Sequence, residues 1–148
     1  MECNLLKMRF DKVDIRQLNP LTLAFVGDAV YDVLVRTYLI NKFKNISVHN
    51  LHIKAIKFVK AHSQSEIIKK LEKQLSEEEL YFFKRGRNAK SGTVPKNADI
   101  QEYRFATGFE TLVGFLYLTG EVNRLNCLFE FIIALSDKGE FYNKKLLN

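Results

Sequence analysis

The fold is decided near the amino end by residues 21–40, which read LTLAFVGDAVYDVLVRTYLI. Asn19-Pro20 closes an extended leader, and the stretch that follows predicts a long helix. Its apolar residues fall on nearly every side of that helix, so we expect it at the centre of a bundle. The main polar interruption is a narrow stripe at spacing i, i+4, i+8, formed by Asp28, Asp32 and Arg36. Burying the carboxylates of such a stripe on a central helix costs free energy of folding.

The same 3.6-residue periodicity continues along the chain and predicts an all-α protein. Further helices are expected over residues 48–62, about 64–74, 77–84, 99–118 and 122–136. Ser47 is suited to cap the first of these. Ser63 with Glu66, and Ser76 with Glu79, each match a capping box that opens the next two. The last residues, FYNKKLLN, carry no assignment.

Composition indicates one globular domain over residues 1–148, since 47% of the chain is hydrophobic and 27% is charged. Cys3 and Cys127 stand far apart with no ligand cluster, as is typical of thiols in a reducing compartment. No signal-peptide core and no apolar run of about 20 residues is present, so we expect a cytoplasmic protein without a membrane span. The net charge of +6 favours an anionic partner.

Positive charge is concentrated between residues 84 and 97, a segment that reads as a basic loop because it holds two glycines, a proline and no acidic residue. Arginine forks, amides and hydroxyls suit phosphate oxygens, and the lack of interleaved aromatics favours a duplex over a single strand. A flexible solvated loop is the alternative. The candidate nucleic-acid-binding residues are Lys84, Arg85, Arg87, Asn88, Lys90, Lys96 and Asn97.

Two acidic residues, Asp28 and Glu110, lie on two different, nearly apolar helices. An ionised carboxylate is costly to bury unless it is paired or bound to a metal, so the two could meet around a cation. Carboxylate oxygens with retained waters favour Mg²⁺, or Mn²⁺. The alternative is local pairing, of Asp28 with Arg36 or Lys42 and of Glu110 with Arg104 or a residue of the basic segment.

The motifs around these acids resemble a known family. Residues 23–31, LAFVGDAVY, resemble the signature helix of ribonuclease III catalytic domains, LEFLGDAVL. Residues 107–118, TGFETLVGFLYL, resemble that family's second acidic motif, D-x-x-E-A-L-I-G-A-x-Y-L. The length, RGRNAKS followed by Pro95-Lys96-Asn97, and an expected lack of an appended double-stranded-RNA-binding domain make the chain most similar to the Mini-ribonuclease III group. The resemblance covers about residues 15–135 and implies the helical bundle of that catalytic domain.

The resemblance implies metal-assisted hydrolysis of double-stranded RNA, with Asp28 and Glu110 holding Mg²⁺. It also implies a homodimer and precursor 23S ribosomal RNA as substrate. Two departures stand out, since Ala24 and Thr107 replace a glutamate and an aspartate of the family pattern. A non-catalytic RNA-binding or ribosome-assembly factor on the same fold is therefore the alternative, and a helical module for an acidic protein partner is the third reading.

Overall fold

The computed structural model describes residues 4–90 and 93–139, and within them it contains α-helices and no β-strand. The all-α prediction is thus confirmed. The unassigned carboxyl-terminal tail and Cys3 lie outside the described residues, as do Ser91 and Gly92 of the basic segment. The described part of the chain contains seven α-helices: α1 (Lys12–Gln17), α2 (Pro20–Lys42), α3 (Val48–Val59), α4 (Ala61–Leu71), α5 (Glu77–Asn88), α6 (Ile100–Leu118) and α7 (Val122–Asp137).

Helix α6 lies at the centre of the bundle and packs against α2, α4 and α5. It approaches α2 until the two main chains touch, which glycines on both helices permit. A Cβ atom on Gly27 would lie 1.8 Å from the carbonyl oxygen of Glu110, and one on Gly114 would lie 1.9 Å from that of Leu23. Real Cβ atoms never come this close to a carbonyl oxygen, so the crossing of α2 and α6 requires glycine at both positions.

Helix α5 packs on another side of α6 and runs four residues further than the sequence predicted. The pattern placed the end of this helix at Lys84 because a glycine with basic neighbours is typical of a loop. Gly86 is instead buried inside α5, where an added Cβ would lie 2.1 Å from Thr111 Oγ1. This glycine serves close helix packing, so the first five residues of the predicted basic loop, 84–88, are helical.

The predicted caps are confirmed at Ser47 and at Ser76, where the Ser76 hydroxyl and the Glu79 carboxylate form a complete capping box. The cap predicted at Ser63 is wrong. Helix α4 already begins at Ala61, because the chain breaks at the extended residue Lys60 and turns directly from α3 into α4. Ser63 is therefore buried in the first turn, with no hydrogen-bond partner for its hydroxyl among the described residues.

Only one side of helix α2 faces the core of the bundle. Leu23, Tyr31, Val35 and Leu39 are buried in the core. The opposite side exposes large apolar side chains, with Phe25 83%, Val33 62% and Ile40 59% exposed, so not all apolar residues of α2 lie in the core of this chain. No helix in the described part of the chain is long and apolar enough to cross a membrane.

Candidate active site and basic surface

Asp28 and Glu110 come together where α2 crosses α6. Asp28 follows Gly27, the residue whose main chain touches the carbonyl of Glu110, so the two-glycine crossing fixes how closely the acids approach. Asp28 opens to solvent, whereas Glu110 is mostly buried. Residues 21–40, which decide the fold, therefore also bring Asp28 close to Glu110.

Within the described ranges, no positively charged side chain pairs with either of the two carboxyl groups. Burial and the neighbouring Asp28 carboxylate raise the pKa of Glu110 from its ordinary value of 4.5 to about 7. Burial and the charge of Asp32 likewise raise the pKa of Asp28. Each shift has the direction expected for acids that are desolvated and repel one another.

The local pairs that the sequence left open do not involve these acids. Arg36 pairs with Asp32, one turn further along α2, at 3.4 Å between Nη2 and Oδ2. Lys42 pairs with Asp137 at 3.2 Å. Among residues 4–90 and 93–139, neither Asp28 nor Glu110 forms an ion pair.

The two neutral residues of the motifs add no charge to this site. Ala24 is buried on α2, with 6% of its surface exposed. Thr107 lies one turn before Glu110, and its hydroxyl donates to the carbonyl oxygen of Tyr103 at 2.9 Å. The described residues contain no group of three or more His, Cys, Asp or Glu side chains that could hold a metal ion.

The residues present nevertheless fit a hydrated divalent cation. Mg²⁺ keeps several of its waters and is commonly held by one or two carboxylates together with phosphate oxygens of a substrate. Two close carboxylates without a basic partner, one of them with a pKa raised to about 7, are the donor set that such a cation neutralises.

One residue of the site was missed by the sequence reasoning. Gln64 on α4 is 1% exposed, and its Nε2 donates to the main-chain carbonyl of Val59 at 3.0 Å. The polar amide lowers the pKa of Glu110 against the larger effects of burial and Asp28. A signal was present in the sequence, because Gln64 shares the spacing i, i+3, i+4, i+7 with Ile67, Ile68 and Leu71 and so lies on the apolar face of α4.

The predicted RNA-binding residues of α5 fall into two groups. Arg85 contacts the protein itself, since its two terminal nitrogens donate to the carbonyl oxygens of Arg16 and Leu18, both at 3.1 Å. Arg87 lies over the rings of Phe83 and Phe105, while Lys84 and Asn88 are exposed. Arg85 thus fastens α5 to the segment before α2, and the other three present their polar groups at the surface.

From Lys90 onward, the segment between α5 and α6 is exposed wherever it is described, including Lys90, Lys96 and Asn97. Asn97 adopts a left-handed conformation, with φ of 70°, in a turn closed by the Ala98 N–H and the Pro95 carbonyl at 3.1 Å. Asparagine tolerates this conformation better than most residues, so Asn97 shapes the loop.

A surface groove of about 360 Å³ separates the end of α5 from the start of α6. It has two arginines and no acidic residue in its lining, which comprises Arg87, Asn88, Ile100, Gln101, Arg104 and Phe105. A groove of this charge is suited to a phosphate backbone. Arg104 was not among the residues that the sequence singled out for RNA.

Comparison with known proteins agrees with the motifs, since the Ribonuclease III domain family matches residues 21–121. The chain belongs to the ribonuclease III family, whose members are endoribonucleases that act on double-stranded RNA and generally depend on a divalent metal.

Within that family the relatives point to one group. Mini-ribonuclease 3 of Clostridium tetani is 53% identical over 129 residues, which cover 87% of this chain and 85% of the relative. Mini-ribonuclease 3 of Staphylococcus aureus is 46% identical over 123 residues, 82% of this chain and 91% of the relative. The resemblance to Mini-ribonuclease III is thereby confirmed.

The fold matches a solved structure as well. The crystal structure of a protein from Fusobacterium nucleatum superposes with a TM-score of 0.72 at 34% sequence identity, covering 86% of this chain and 98% of that one.

Proposed function

We propose that this protein is a Mg²⁺-dependent endoribonuclease that hydrolyses phosphodiester bonds of double-stranded RNA, with Asp28 and Glu110 as its catalytic and metal-binding residues. We expect that Mn²⁺ can substitute for Mg²⁺ at this site. The observation that carries the proposal is the close approach of two carboxyl groups without a basic partner, at a crossing that only glycine allows. A protein of the binding class has no need to hold two repelling acids together where its helices α2 and α6 cross.

The two acids play unequal parts in this proposal. A divalent cation, when bound, lowers the pKa of water and stabilises negative charge that develops on the phosphate. Asp28 is exposed to solvent, so a substrate phosphate can reach it. Glu110 is mostly buried and carries a proton near neutral pH, and this proton must leave before its carboxylate can bind a cation. Cation affinity should therefore rise with pH up to about 7 and then level off.

The basic surface supports the proposed RNA binding. The end of α5 and the segment after it present hydrogen-bond donors of six residues, Lys84, Arg87, Asn88, Lys90, Lys96 and Asn97. Arg85 holds that end of α5 in place. We add Arg104, which faces Arg87 across the groove. These groups position a sugar–phosphate backbone without reading its sequence, as suits a duplex substrate.

We also propose a homodimer. A duplex has two strands, and one acidic site cuts one of them, so cleavage of both strands in one encounter calls for two copies. The exposed apolar side of α2, formed by Phe25, Val33 and Ile40, is a surface that a second copy would cover. Phe25→Asp should then convert a dimer into a monomer in sedimentation experiments, and a monomeric wild-type protein would contradict the proposal.

For the substrate, we propose precursor 23S ribosomal RNA in the cytoplasm, with the whole chain acting as one catalytic domain. This part of the proposal comes from the family resemblance. It is tested by measuring whether the purified protein trims a 23S precursor at discrete positions, in competition with an unrelated duplex of equal length. If the protein cut the 23S precursor and the unrelated duplex equally well and without discrete positions, the proposed substrate would be contradicted.

The test of the activity is cleavage of a long double-stranded RNA with Mg²⁺, compared with EDTA and with the Asp28→Asn variant. Asp28→Asn removes one cation ligand while leaving shape and packing in place, so cutting should collapse while helix content and RNA binding persist. Glu130→Gln, which neutralises an exposed carboxylate of α7, is the matched control and should cut normally. Undiminished cutting by Asp28→Asn would refute the assignment, and RNA that is bound but intact with every metal would favour the non-catalytic RNA-binding factor.

A further inference from the structure

The groove between the end of α5 and the start of α6 contains groups that a phosphate backbone does not use. Its volume of about 360 Å³ lies within the range of about 300–1,000 Å³ that is typical of small-molecule pockets. The two arginines and two amide side chains of its lining suit phosphate oxygens. Phosphate contacts leave unexplained the exposed side chain of Ile100 and the half-buried ring of Phe105, which line the same groove. The groove therefore has room and apolar surface for a further chemical group of the RNA.

Planar groups meet at Arg87, which lines this groove. Its guanidinium carbon lies 5.9 Å from the ring centre of Phe105 and 5.5 Å from that of Phe83, and the two rings are 5.7 Å apart. The Nε atom of Arg87 donates to Asn88 Oδ1 at 3.1 Å, which helps to fix the orientation of the guanidinium plane. In the described part of the chain the two terminal nitrogens of Arg87 have no hydrogen-bond partner, so they are available to a ligand.

This combination of groups fits an unpaired nucleotide. Paired bases of an RNA duplex are stacked on their neighbours, so side chains cannot reach their faces. An unstacked base, by contrast, can stack on an aromatic ring or on a guanidinium plane and can form hydrogen bonds along its edge. The lack of aromatic residues within the basic segment 84–97 favoured a fully paired duplex, but the fold adds the ring of Phe105 from α6 to that segment.

The groove lies close to the acids along α6. Phe105 and Glu110 are five residues apart on this helix, which corresponds to about 7.5 Å along its axis. An RNA whose reacting phosphate lies at the two acids therefore brings neighbouring nucleotides to the groove. Those nucleotides meet no acidic residue in its lining, so their phosphates are not repelled.

We propose that the groove is a subsite for one unpaired nucleotide that interrupts an RNA duplex near the cleavage position, with its base against Phe105 and Arg87 and its phosphate at Arg104. The inference rests on the proposed function, and it names duplexes with a bulged nucleotide as the preferred substrate class. A base that is already unpaired spares the complex the free energy of pulling a paired base out of the stack. A fully paired duplex still binds through its phosphates, but it leaves the groove without a base.

The test compares a fully paired RNA duplex with the same duplex carrying one bulged uridine. Affinities are measured in EDTA, so that neither RNA is cut. The stacking of one base on a side chain is worth about 5–150-fold in affinity. The wild type should therefore bind the bulged duplex about tenfold more tightly than the paired one.

Two variants keep the charge of the surface and remove one planar group each. Phe105→Leu replaces the ring by an aliphatic side chain, and Arg87→Lys replaces the guanidinium plane by an ammonium group. In each variant the preference for the bulged duplex should fall below about threefold.

Tyr81→Leu is the matched control. Tyr81 is an exposed ring on α5, and the guanidinium carbons of Arg16 and Arg85 lie 5.3 Å and 5.6 Å from its centre, but it is not part of the groove lining. Its removal should leave the preference for the bulged duplex as in the wild type.

A second measurement uses the wild type, so it does not depend on how a variant folds. A photoreactive 5-iodouridine is placed at the bulged position, the complex is irradiated in EDTA, and the crosslinked residue is identified by mass spectrometry. We expect the crosslink at a residue of the groove lining. With Mg²⁺, the cleavage position should lie at a fixed distance from the bulge and move with it when the bulge is shifted along the duplex.

The outcomes separate this inference from the proposed function. The subsite would be overturned, and the proposed nuclease activity left intact, by equal affinity of the wild type for both RNAs, by an undiminished preference in both variants, or by a crosslink outside the groove. A wild type that binds neither RNA would remove the proposed function first, and the subsite with it.

Discussion

The acid pair should make the metal-free protein less stable above neutral pH, and Glu110→Gln should relieve this. The pKa of Glu110 is about 7 in the folded protein against an ordinary value of 4.5. Below pH 4.5 the carboxyl group is protonated in both states and contributes nothing. Between pH 4.5 and 7 the unfolded chain loses the proton while the folded protein keeps it, so stability is lost as the pH rises.

The size of the effect follows from the same shift. One pKa unit corresponds to about 1.4 kcal/mol, so ionised Glu110 lowers the free energy of unfolding by about 3 kcal/mol at pH 8 and by less than about 1 kcal/mol at pH 5. Glutamine has nearly the same shape as glutamate and carries no charge. Glu110→Gln should therefore exceed the wild type in stability by about these amounts when EDTA is present.

Urea unfolding at pH 5 and pH 8, with EDTA or with saturating Mg²⁺, measures both effects. A difference of about 3 kcal/mol moves the urea midpoint by on the order of 1 M or more. Saturating Mg²⁺ should stabilise the wild type, by about 2.7 kcal/mol at a hundredfold excess over its dissociation constant, and should leave Glu110→Gln unchanged. The exposed-site variant Glu130→Gln should follow the wild type throughout. An EDTA-treated Glu110→Gln protein no more stable than the wild type at pH 8 would refute the electrostatic reasoning.

Two other predictions concern the crossing and the basic surface. Gly27→Ala places a Cβ 1.8 Å from the Glu110 carbonyl oxygen, so it should destabilise the fold by about 3 kcal/mol or more in urea unfolding; a loss under about 1 kcal/mol would mean that the crossing can widen freely. Arg87→Ala should weaken RNA binding and reduce its salt dependence by about one phosphate contact, whereas Arg85→Ala should lower stability instead, because Arg85 bonds to main-chain carbonyls. If filter binding showed that Arg85→Ala weakens RNA binding, and urea unfolding showed that Arg87→Ala lowers stability, the two assignments would be reversed.

What the sequence predicted correctly depends on local signals. The capping box of Ser76 and Glu79 is complete within four residues, and it formed as expected. Ser63 matches the same pattern, but the break at Lys60 starts the helix earlier and buries the serine. A cap is thus predictable only where no neighbouring helix fixes the start of the next one.

The errors and omissions share one cause, which is that the decisive partner is distant in sequence. Gly86 signals a loop by type, yet it permits contact with Thr111 on another helix. Gln64 is recognisable as a polar residue on an apolar face, but its effect on the pKa of Glu110 requires the packing of α4 on α6. The motifs did indicate that Asp28 and Glu110 meet. The raised pKa of Glu110, however, follows from its burial in the folded protein, which sequence alone does not give.

The neutral residues at positions 24 and 107 bear on the same electrostatic balance. An aspartate in place of Thr107 would lie one turn from Glu110 and would repel a carboxylate whose pKa is already raised to about 7. More acids increase the affinity of a site for cations, but the metal-free protein must then hold more uncompensated charge. Alanine and threonine at these positions lower that cost. With two acids left, the affinity of the site for a cation depends more on how closely the crossing of α2 and α6 brings Asp28 and Glu110 together.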